Sequence, residues 1–426
     1  MHFCSPCSSW RKRAARKNDT LSNYEHVIIG AGIIGLSTAV ALTRAGVPAK
    51  DIAIIDPAPI SGASWVAGGM LAPVAEVQYG QEELYPLMIR AAELWPALRE
   101  AVESGTDLPT GYREESTLVV AADRADATHL AELLEHQRAH GMTATRLPVR
   151  QARKLEPGLH PQLAGAVEIP GDHQVNPRLY CAAAVDVLKK KGATFVEQKA
   201  TGLIHSSDAA GSDVEFRHAE QADRCTAVRL ADGTAVSVRG SVYVCNGVGA
   251  ATIDGAPALP VRPVRGDLIR LGVAEGRPAP VERVIRGFFE DRPIYVIPRT
   301  DGTIAVGATT REDERRAPAA DGVYTLLRDA IRVVPGIEDC EFIEALAGER
   351  PGTPDDLPLI GKTSGNVVIS AGYFRHGILL SALGAKVTAH LGLSADDGDA
   401  ALNEAAEAAG TSLRACRWDR FHAGAH

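Results

Sequence analysis

The chain has 426 residues, a hydrophobic content of 45% and a formal net charge of −8 at pH 7. Because this length exceeds the size at which a single hydrophobic core stops growing, two domains are expected. The excess of acidic residues argues against a nucleic-acid-binding surface or a polybasic membrane-binding face, and no apolar run approaches the roughly 18 residues that cross a bilayer. We therefore expect a small-molecule partner.

Cysteine usage and the first residues bear on the compartment. Seven cysteines, scattered from Cys4 to Cys416, are typical of reduced intracellular thiols and not of a disulfide framework. Cys4 and Cys7 have no second pair to complete a zinc site, so no metal is expected. Residues 1–22 carry five Lys or Arg side chains against one acid and lack the apolar core of a secretory signal. We expect a disordered basic extension on a cytoplasmic protein, with an organelle transit peptide as the weaker alternative.

The first recognisable unit, residues 25–56, predicts a strand, a glycine turn, a helix and a second strand. Residues 26–29 are a short, mostly β-branched apolar run, and the six residues GAGIIG that follow fit the pattern GxGxxG. The apolar residues Ile34, Val40, Leu42 and Val47 then recur with the spacing of a buried helix face.

This arrangement suits a dinucleotide. Gly30 allows a tight turn, Gly32 lets the backbone approach a pyrophosphate, and Gly35 lets the helix pack on the strand. Asp56 ends the second strand about 20 positions later, where a carboxylate can accept hydrogen bonds from a ribose hydroxyl. Such glycines also occur in ordinary turns, but strand, helix and acid in register favour a bound adenine dinucleotide.

The stretch PAPISGASWVAGGMLAP, residues 57–73, is too rich in glycine, alanine and proline for a regular element and too apolar for an exposed loop. We expect it to be buried, with backbone amides that approach phosphate, ribitol or a ring edge; a surface loop is the alternative. The small or apolar positions concerned are Ser61, Gly62, Ala63, Ser64, Gly68, Gly69 and Met70.

The middle of the chain alternates helices and strands. Periodicity predicts helices over 82–104, 125–140 and 177–191, and strands over 116–121, 193–196, 213–217, 227–230, 235–238 and 242–245. Residues 246–249, Asn-Gly-Val-Gly, are a second place where backbone can meet a cofactor, although such a loop is more often only a turn.

From residue 260 short strands and prolines predict an antiparallel sheet. Its strands are expected over 267–271, 293–298 and 303–307, followed by a helix over 324–333 and a segment, 341–347, that leads into GERPGTPDDLPLIG. A strand over 366–370 and an apolar helix over 378–390 then return the chain to the nucleotide fold. Residues after Gly392 are acidic and alanine-rich, and we expect them to be partly ordered at best.

Four motifs together resemble the D-amino-acid-oxidase-type flavoproteins, and within them the glycine oxidases of thiamine biosynthesis. The motifs are HVIIGAGIIGLS with Asp56, GASWVAGGMLAP, the pair YVIPRTDGTIAVGAT and GERPGTPDDLPLIG, and SAGYFRHGILLSALGA. They occur in the family's order across about residues 25 to 390.

The resemblance implies an α/β protein with a Rossmann-like FAD-binding domain and a second, antiparallel-sheet α+β domain that carries substrate. The implied FAD-binding segments are 23–110, 172–256 and 346–392. The implied substrate-domain segments are 111–171 and 257–345, and 393–426 form a C-terminal tail.

The resemblance also implies roles for residues at matching positions. Arg350 would hold the substrate carboxylate, Tyr295 would flank it, and Arg375 would lie near the substrate. The adenine contact falls on Thr201, where the family often has an aliphatic residue and uses the backbone. The implied FAD contacts are Gly30, Gly32, Ile33, Ile34, Gly35, Asp56, Ala63, Ser64, Gly68, Gly69, Met70, Thr201, Tyr373, Phe374, Arg375, His376, Gly377, Ile378 and Leu379.

Each role has a plainer alternative. Arg350 precedes Pro-Gly and could cap a turn or pair with Asp355 or Asp356, and Tyr295 could be a core aromatic. Arg375 and His376 could be solvated loop residues. Where some relatives carry a histidine two places before the tyrosine, this chain has Pro293, so substrate preference is not predicted.

The implied activity is oxidation of glycine and other small amino acids or amines by noncovalent FAD. An arginine that grips the carboxylate orients Cα toward the flavin, so no general base is required. Oxygen would accept the electrons, giving imine or glyoxylate, ammonia and hydrogen peroxide, and the imine would supply thiazole synthesis. The alternatives are a D-amino-acid or sarcosine oxidase or dehydrogenase, a nicotinamide-dependent dehydrogenase and a non-catalytic flavin binder. The family suggests a homo-oligomer.

Overall fold

A computed structural model describes residues 23–209 and 223–422. The expected basic extension, residues 1–22, and the strand predicted over 213–217 lie outside these residues. Elements are numbered here in chain order.

The strands of the described residues fall into two large sheets and one pair. They are β1 (Asn23–Ile29), β2 (Ile52–Ile55), β3 (Met70–Leu71), β4 (Thr117–Ala121), β5 (Thr145–Leu147), β6 (Gly165–Ile169), β7 (His173–Gln174), β8 (Thr194–Val196), β9 (Ala200–His205), β10 (Cys225–Leu230), β11 (Ala235–Val244), β12 (Arg262–Gly272), β13 (Val284–Phe289), β14 (Arg292–Pro298), β15 (Thr303–Gly307), β16 (Glu341–Gly352), β17 (Leu359–Lys362) and β18 (Val367–Ala371).

The helices of the same residues are α1 (Ile33–Arg44), α2 (Ala63–Val66), α3 (Tyr85–Glu103), α4 (Arg124–Ala139), α5 (Val149–Leu155), α6 (Pro177–Lys190), α7 (Ala320–Val333), α8 (Gly377–Leu393) and α9 (Gly398–Ala409). None of them is both long and apolar enough to cross a bilayer.

The first sheet has the order β17-β18-β11-β1-β2-β8. The pairs β18/β11, β11/β1, β1/β2 and β2/β8 are parallel, whereas β17 pairs antiparallel at one edge. Four helices, α1, α3, α6 and α8, share one core on this sheet, and α8 is buried nearly all round, as its apolar sequence predicts. This is the Rossmann-like α/β layer that the sequence predicts.

Strand β11 belongs to two pairings at once. Its first residues pair antiparallel with β10, and its last residues pair parallel with β1. The two strands predicted over 235–238 and 242–245 are therefore a single strand. The prediction separated them because Arg239-Gly240 interrupts the apolar alternation, and the register shift in the β1 pairing falls at this point.

The second sheet has the order β16-β12-β15-β14-β13-β4-β6-β5. All of its pairs are antiparallel except β13/β4, so the predicted antiparallel sheet is confirmed. Strand β16 pairs with β12 along its whole length, from Glu341 to Gly352, and so crosses the predicted domain limit at residue 346. The domain limits themselves stay a prediction.

Two local predictions were wrong. Helix α1 ends at Arg44, so Val47 packs against the core from the following turn and not from the helix. Residues 57–73 do contain regular structure, since they form the one-turn helix α2 and the short strand β3, which pairs with β7. Short elements of this kind draw their stability from tertiary contacts, which local sequence does not report.

The segment after Gly392 was also predicted wrongly as poorly ordered. Helix α9 packs on α8 and β17 and buries Leu402 and Ala405. Beyond it, Trp418 donates its backbone N–H to the Ile360 carbonyl (N···O 3.1 Å), and the Arg420 guanidinium pairs with Asp355 (2.7 Å). An alanine-rich composition hid a helix that buries Ala401, Leu402, Ala405 and Ala409.

Candidate active site

A cleft lies between the glycine turn after β1 and the face of the second sheet. Five stretches of sequence line it: 30–34, 56–76, 245–248, 348–351 and 370–379, together with residues of β12, β13 and β14 and of the loop after β15. The predicted residues that line it are Gly30, Gly32, Ile33, Ile34, Asp56, Ala63, Ser64, Gly68, Gly69, Met70, Tyr295, Arg350, Tyr373, Phe374, Arg375, His376, Gly377, Ile378 and Leu379.

Two of the implied FAD contacts, Gly35 and Thr201, do not line the cleft, and neither does Ser61. Gly35 packs inward, and a Cβ there would stand 2.0 Å from the Gly30 carbonyl oxygen, so its role is helix-to-strand packing. Thr201 lies on β9, where its hydroxyl donates to the Arg229 carbonyl (3.3 Å) and its own carbonyl accepts from Asp254 N–H (3.1 Å). The adenine contact at Thr201 stays a prediction.

The glycine turn is tightly constrained on the protein side and open on the cleft side. Gly30 has φ +107°, and a Cβ there would come within 2.7 Å of Asn246 Cα and the Cys245 carbonyl oxygen. At Gly32, by contrast, the nearest atom to an added Cβ is Ser64 Oγ at 3.3 Å. Gly30 is therefore required by the fold, whereas Gly32 keeps the cleft clear where a pyrophosphate would lie.

Asp56 and Ser64 hold the turn from the other side. The Ala31 N–H donates to Asp56 Oδ2 (2.7 Å), and the Ile33 N–H at the start of α1 donates to Ser64 Oγ (3.0 Å). Each carboxylate oxygen has a further lone pair, so Asp56 can still accept a ribose hydroxyl. The predicted ribose role stays a prediction, and the structure adds a second role in shaping the turn.

Two further loops complete the cofactor end. Asn246, Gly247 and Val248, which the sequence marked as a second cofactor contact, line the cleft at the end of β11. On the opposite side, Phe374 has a positive φ of 45° in the turn that leads into α8. The N-cap residue of α8 is His376, and its side chain makes no hydrogen bond to the first amides of the helix. These amides are therefore available to a ligand.

The residues present therefore fit a bound FAD. A glycine turn opens helix α1, a carboxylate stands at the end of β2, and the small residues Ala63, Ser64, Ala67, Gly68 and Gly69 leave room for a flat ring system beside α8. The fit depends on the missing side chains of Gly32 and Gly68. A Cβ at either position would lie in the cleft or against the residues that line it.

Arg350 lies on strand β16 and points across β12. A Cβ added to Gly266 of β12 would be 2.2 Å from Arg350 Nη1, so the guanidinium occupies the space above that glycine. Arg350 Nη1 donates to the carbonyls of Thr309 (3.2 Å) and Arg265 (3.3 Å).

The alternative of an ion pair between Arg350 and Asp355 or Asp356 does not hold. Within the described residues it has no carboxylate at ion-pair distance, because Asp355 pairs with Arg420 and Asp356 accepts from Gln81. Burial lowers the pKa of Arg350, and Tyr295 and Asp267 offset this in part. The guanidinium is thus held by neutral carbonyls with its charge still available to an anion.

Tyr295 stands beside it on β14. Its ring lies over Gly307 of β15, where an added Cβ would be 2.4 Å from the Tyr295 hydroxyl, and against Gly68, where the corresponding distance is 2.9 Å. Burial raises the pKa of Tyr295, although Arg350 and Arg375 oppose the shift. The phenol therefore stays protonated at neutral pH and can donate a hydrogen bond in the cleft.

Arg375 approaches from the loop before α8, and its partner was missed by the sequence analysis. Arg375 Nη2 lies 3.5 Å from Glu76 Oε2, and Glu76 also pairs with Arg286, a residue of β13. Glu76 and Arg286 are 8% and 4% exposed, and both line the cleft. The sequence does place a charged residue, Arg286, inside the apolar run VIRGFF (residues 284–289). Arg286 was missed because no strand was predicted there.

His376, the next residue, is buried beneath this group. Burial lowers its pKa to about 3, and the charges of Arg375 and Arg286 act in the same direction. It is therefore a neutral imidazole at physiological pH. The solvated-loop alternative is wrong for this residue.

Comparisons with known proteins agree with this geometry. The family model described as FAD dependent oxidoreductase matches residues 25–391. Glycine oxidase from Geobacillus kaustophilus is 29% identical over 376 residues, which cover 86% of this chain and 92% of that protein. The crystal structure of glycine oxidase from the same organism superposes with a TM-score of 0.76 at 26% identity, covering 94% of this chain and 99% of that one.

A longer protein is similar over part of its length. The bifunctional protein ThiO/ThiG from Trichormus variabilis is 30% identical over 375 residues, which cover 85% of this chain but 52% of that protein. The chain therefore spans about half of this relative.

Proposed function

The chain belongs to the FAD dependent oxidoreductase family, and from this premise we propose that it is an FAD-dependent oxidase of glycine and other small amino acids. The observation that carries the proposal is Arg350: a half-buried guanidinium, held by carbonyls and facing the cleft, with no carboxylate partner among the described residues. An uncompensated buried cation is costly unless a ligand anion meets it. A substrate carboxylate is that anion.

Substrate orientation follows from two side chains that reach over the sheet, Arg350 of β16 and Tyr295 of β14. Arg350 grips both carboxylate oxygens with its planar fork, and Tyr295 donates to the same group. Gly266 and Gly307 let both side chains lie flat on the second sheet. The substrate carboxylate is therefore held close to this sheet, and Cα points away from it, toward α8. Positioning of this kind converts a bimolecular transfer into an oriented one.

A bound FAD would supply the redox chemistry as the acceptor of a hydride from Cα. The protein need supply no general base for this step, provided that the amine enters neutral. The Arg286 and Arg375 charges make the surroundings positive, which favours the unprotonated amine. The amide groups at the start of α8 favour negative charge nearby.

Finer elements of the proposal rest on the relatives. Glycine oxidase and ThiO/ThiG are the names of similar proteins, which supports glycine as a substrate and supply of an imine for thiamine thiazole synthesis. Oxygen as acceptor, a cytoplasmic location and a homo-oligomeric state belong to the same proposal. A D-amino-acid or sarcosine oxidase or dehydrogenase of the same fold is the alternative, since Pro293 lines the cleft where some relatives carry histidine.

A substrate screen tests the proposal. Purified protein should be yellow, and glycine, sarcosine and D-alanine should be oxidised with release of hydrogen peroxide and without added nicotinamide. A dye-linked assay under argon separates an oxidase from a dehydrogenase. An FAD-loaded protein that turns over none of these amines with either acceptor would overturn the proposed function.

A further inference from the structure

The substrate end of the cleft holds more positive charge than one carboxylate can match. Its described lining includes three guanidinium groups, those of Arg286, Arg350 and Arg375, and one carboxylate, Glu76, that faces them. When a single α-carboxylate binds to Arg350, two cations, Arg286 and Arg375, remain with only one anion, Glu76.

Other carboxylates near the cleft are already engaged. Glu349 also lines it but stands opposite Arg265 in the β12/β16 ladder and pairs with it (2.6 Å). Asp56 lies at the dinucleotide end, where the Ala31 and Ala58 amides donate to it. Asp356 acts on Arg375 from outside the cleft lining and is shared with Arg262. None of these can neutralise Arg286.

Arg286 is placed by the sheet to face the same ligand as Arg350. Arg286 stands directly opposite Tyr295 in the β13/β14 ladder, and Tyr295 stands directly opposite Gly307 in the β14/β15 ladder. Because directly opposed residues of neighbouring strands share one face of a sheet, Arg286 and Tyr295 project toward the cleft together. The pairing of Arg286 with Glu76 keeps its head group in the lining and not in the sheet beneath.

The spacing sets the length of the ligand. The Arg350 guanidinium lies over β12 and bonds to the loop just after β15, whereas Arg286 rises from β13, which is three strands from β12 and two from β15. Neighbouring strands lie about 4.8 Å apart, so the two cations face the cleft roughly 10 to 14 Å from each other. With one carboxylate on each guanidinium, the space between them suits a chain of aspartate or glutamate length.

We propose that the preferred substrate is an amino acid that carries a second carboxylate, with its α-carboxylate on Arg350 and its second carboxylate on Arg286. This inference rests on the proposed function, since it names the substrate class of the same site. Glu76 is then the counterion of Arg286 in the empty cleft. When substrate is bound, Arg286 interacts with both Glu76 and the second carboxylate. Arg286 is a specificity-determining residue, and Glu76 tunes how much charge it offers.

The test compares acids with their amides, which have nearly the same size and lack the second charge. We expect kcat/KM for D-aspartate to exceed that for D-asparagine by at least roughly tenfold, and the same order for D-glutamate over D-glutamine. Arg286→Met should bring the D-aspartate to D-asparagine ratio to about one or below, because Glu76 then repels the second carboxylate. Glu76→Gln should shift the ratio the other way and increase it.

Two further measurements keep the test decisive. Arg270→Met is the matched control, since Arg270 is equally buried at 4% exposure on the same sheet but pairs with Glu344 and lies outside the cleft lining; it should leave the ratio unchanged. Succinate and its monoamide, succinamate, are titrated as ligands of the FAD-loaded enzyme and read by flavin absorbance, so that binding is measured without turnover. Succinate should bind at least tenfold more tightly.

The outcomes separate the two proposals. Equal use of D-aspartate and D-asparagine, with equal binding of succinate and succinamate, would overturn this inference and leave the oxidase intact. Failure to oxidise any amino acid would overturn the proposed function, and the succinate titration would still decide whether a dicarboxylate site exists. If Arg286→Met does not fold, the opposite shift expected for Glu76→Gln decides, and an unchanged or lower ratio in that variant overturns the inference.

Discussion

At the scale of single residues, Arg350 shows why a half-buried cation and its surroundings have to be considered together. Its donors reach the carbonyls of Thr309 and Arg265, and Tyr295 stands beside it. Carbonyl oxygens orient the guanidinium without cancelling its charge. A carboxylate in the same place would have made Arg350 a structural residue, and this is the alternative that its sequence context, just before Pro351 and Asp355, had left open.

Replacing Arg350 by alanine should lower kcat/KM for the amino acid by at least roughly tenfold to a hundredfold. The variant loses a charge-assisted pair worth about 1.5 to 3 kcal/mol. Lysine should restore little, because a point charge does not reproduce the planar fork that orients Cα. Steady-state kinetics of both variants at saturating substrate measure the loss that remains in kcat.

The control for Arg350 is an amine of similar size without a carboxylate. If Arg350→Ala slows this amine as much as it slows the amino acid, the arginine acts on the structure and not on the carboxylate. The visible spectrum of FAD should be unchanged in both variants.

His376 should make the folded protein sensitive to acid. Its folded pKa of about 3 lies below the unfolded value near 6.5, so between these values the unfolded chain binds more protons. Stability therefore falls as pH falls below about 6.5, by up to about 1.4 kcal/mol per pH unit. Between pH 7 and pH 5 this loss should be about 2 kcal/mol smaller in His376→Gln than in the parent protein.

Urea unfolding of the two proteins at pH 7, 6 and 5, with the same FAD concentration throughout, measures that difference. An identical decline of the unfolding free energy in both proteins would show that His376 takes up a proton in the folded state, contrary to its burial.

At the scale of elements, glycines on two strands create the substrate surface. Gly266 of β12 lies under Arg350, and Gly307 of β15 lies under Tyr295. Side chains of a sheet normally stand roughly perpendicular to it. At these two positions the missing Cβ atoms let an arginine and a tyrosine lie flat and meet over β15.

Gly266→Ala should lower kcat/KM by roughly tenfold or more while the protein keeps its FAD. The added Cβ would stand 2.2 Å from Arg350 Nη1, and because that atom is the end of a flexible side chain the arginine will move and the sheet will not. Misplacement of a catalytic group by about 1 Å costs up to about a hundredfold in rate.

Gly171→Ala is the matched control. An added Cβ there meets no atom within 4 Å, and the position lies in the turn between β6 and β7. Its kinetics should equal those of the parent enzyme. Equal kinetics in Gly266→Ala would mean that Arg350 does not depend on this space.

At the scale of the whole molecule, the cleft is assembled from segments that are far apart in the chain. Residues near 30, 60, 246, 350 and 375 meet around it, and they come from both large sheets. A ligand that contacts all of them therefore links the two sheets, and its binding free energy adds to the free energy of unfolding.

FAD should be removable and should stabilise the protein when restored. Acid precipitation should release the flavin into the supernatant, since the five cysteines of the described residues are free thiols and none lies in the two flavin-side motifs at 349–353 and 372–377. FAD at a hundred times its Kd should raise the unfolding free energy of the apoprotein by about 2.7 kcal/mol. Flavin that stays in the pellet would indicate a covalent bond.

Local sequence predicted the elements whose signal is contained in the element itself. The strand-turn-helix unit around Gly30, the helix capped by Asn176 and the apolar helix α8 all occur as predicted within a few residues. The short elements α2, β3 and β13 were not predicted, because each is stable only where a partner covers it.

What the sequence by itself determined is the cofactor end of the protein, because turn geometry, a helix start and the acid at the end of β2 are properties of neighbouring residues. The substrate end was decided only by tertiary structure. Glu76, Arg286 and Arg375 lie on three separate segments of the chain. Their charged groups come into contact only when the chain folds and forms the cleft. Burial then sets the balance of charge, since in a medium of low polarity each unmatched guanidinium requires an anion.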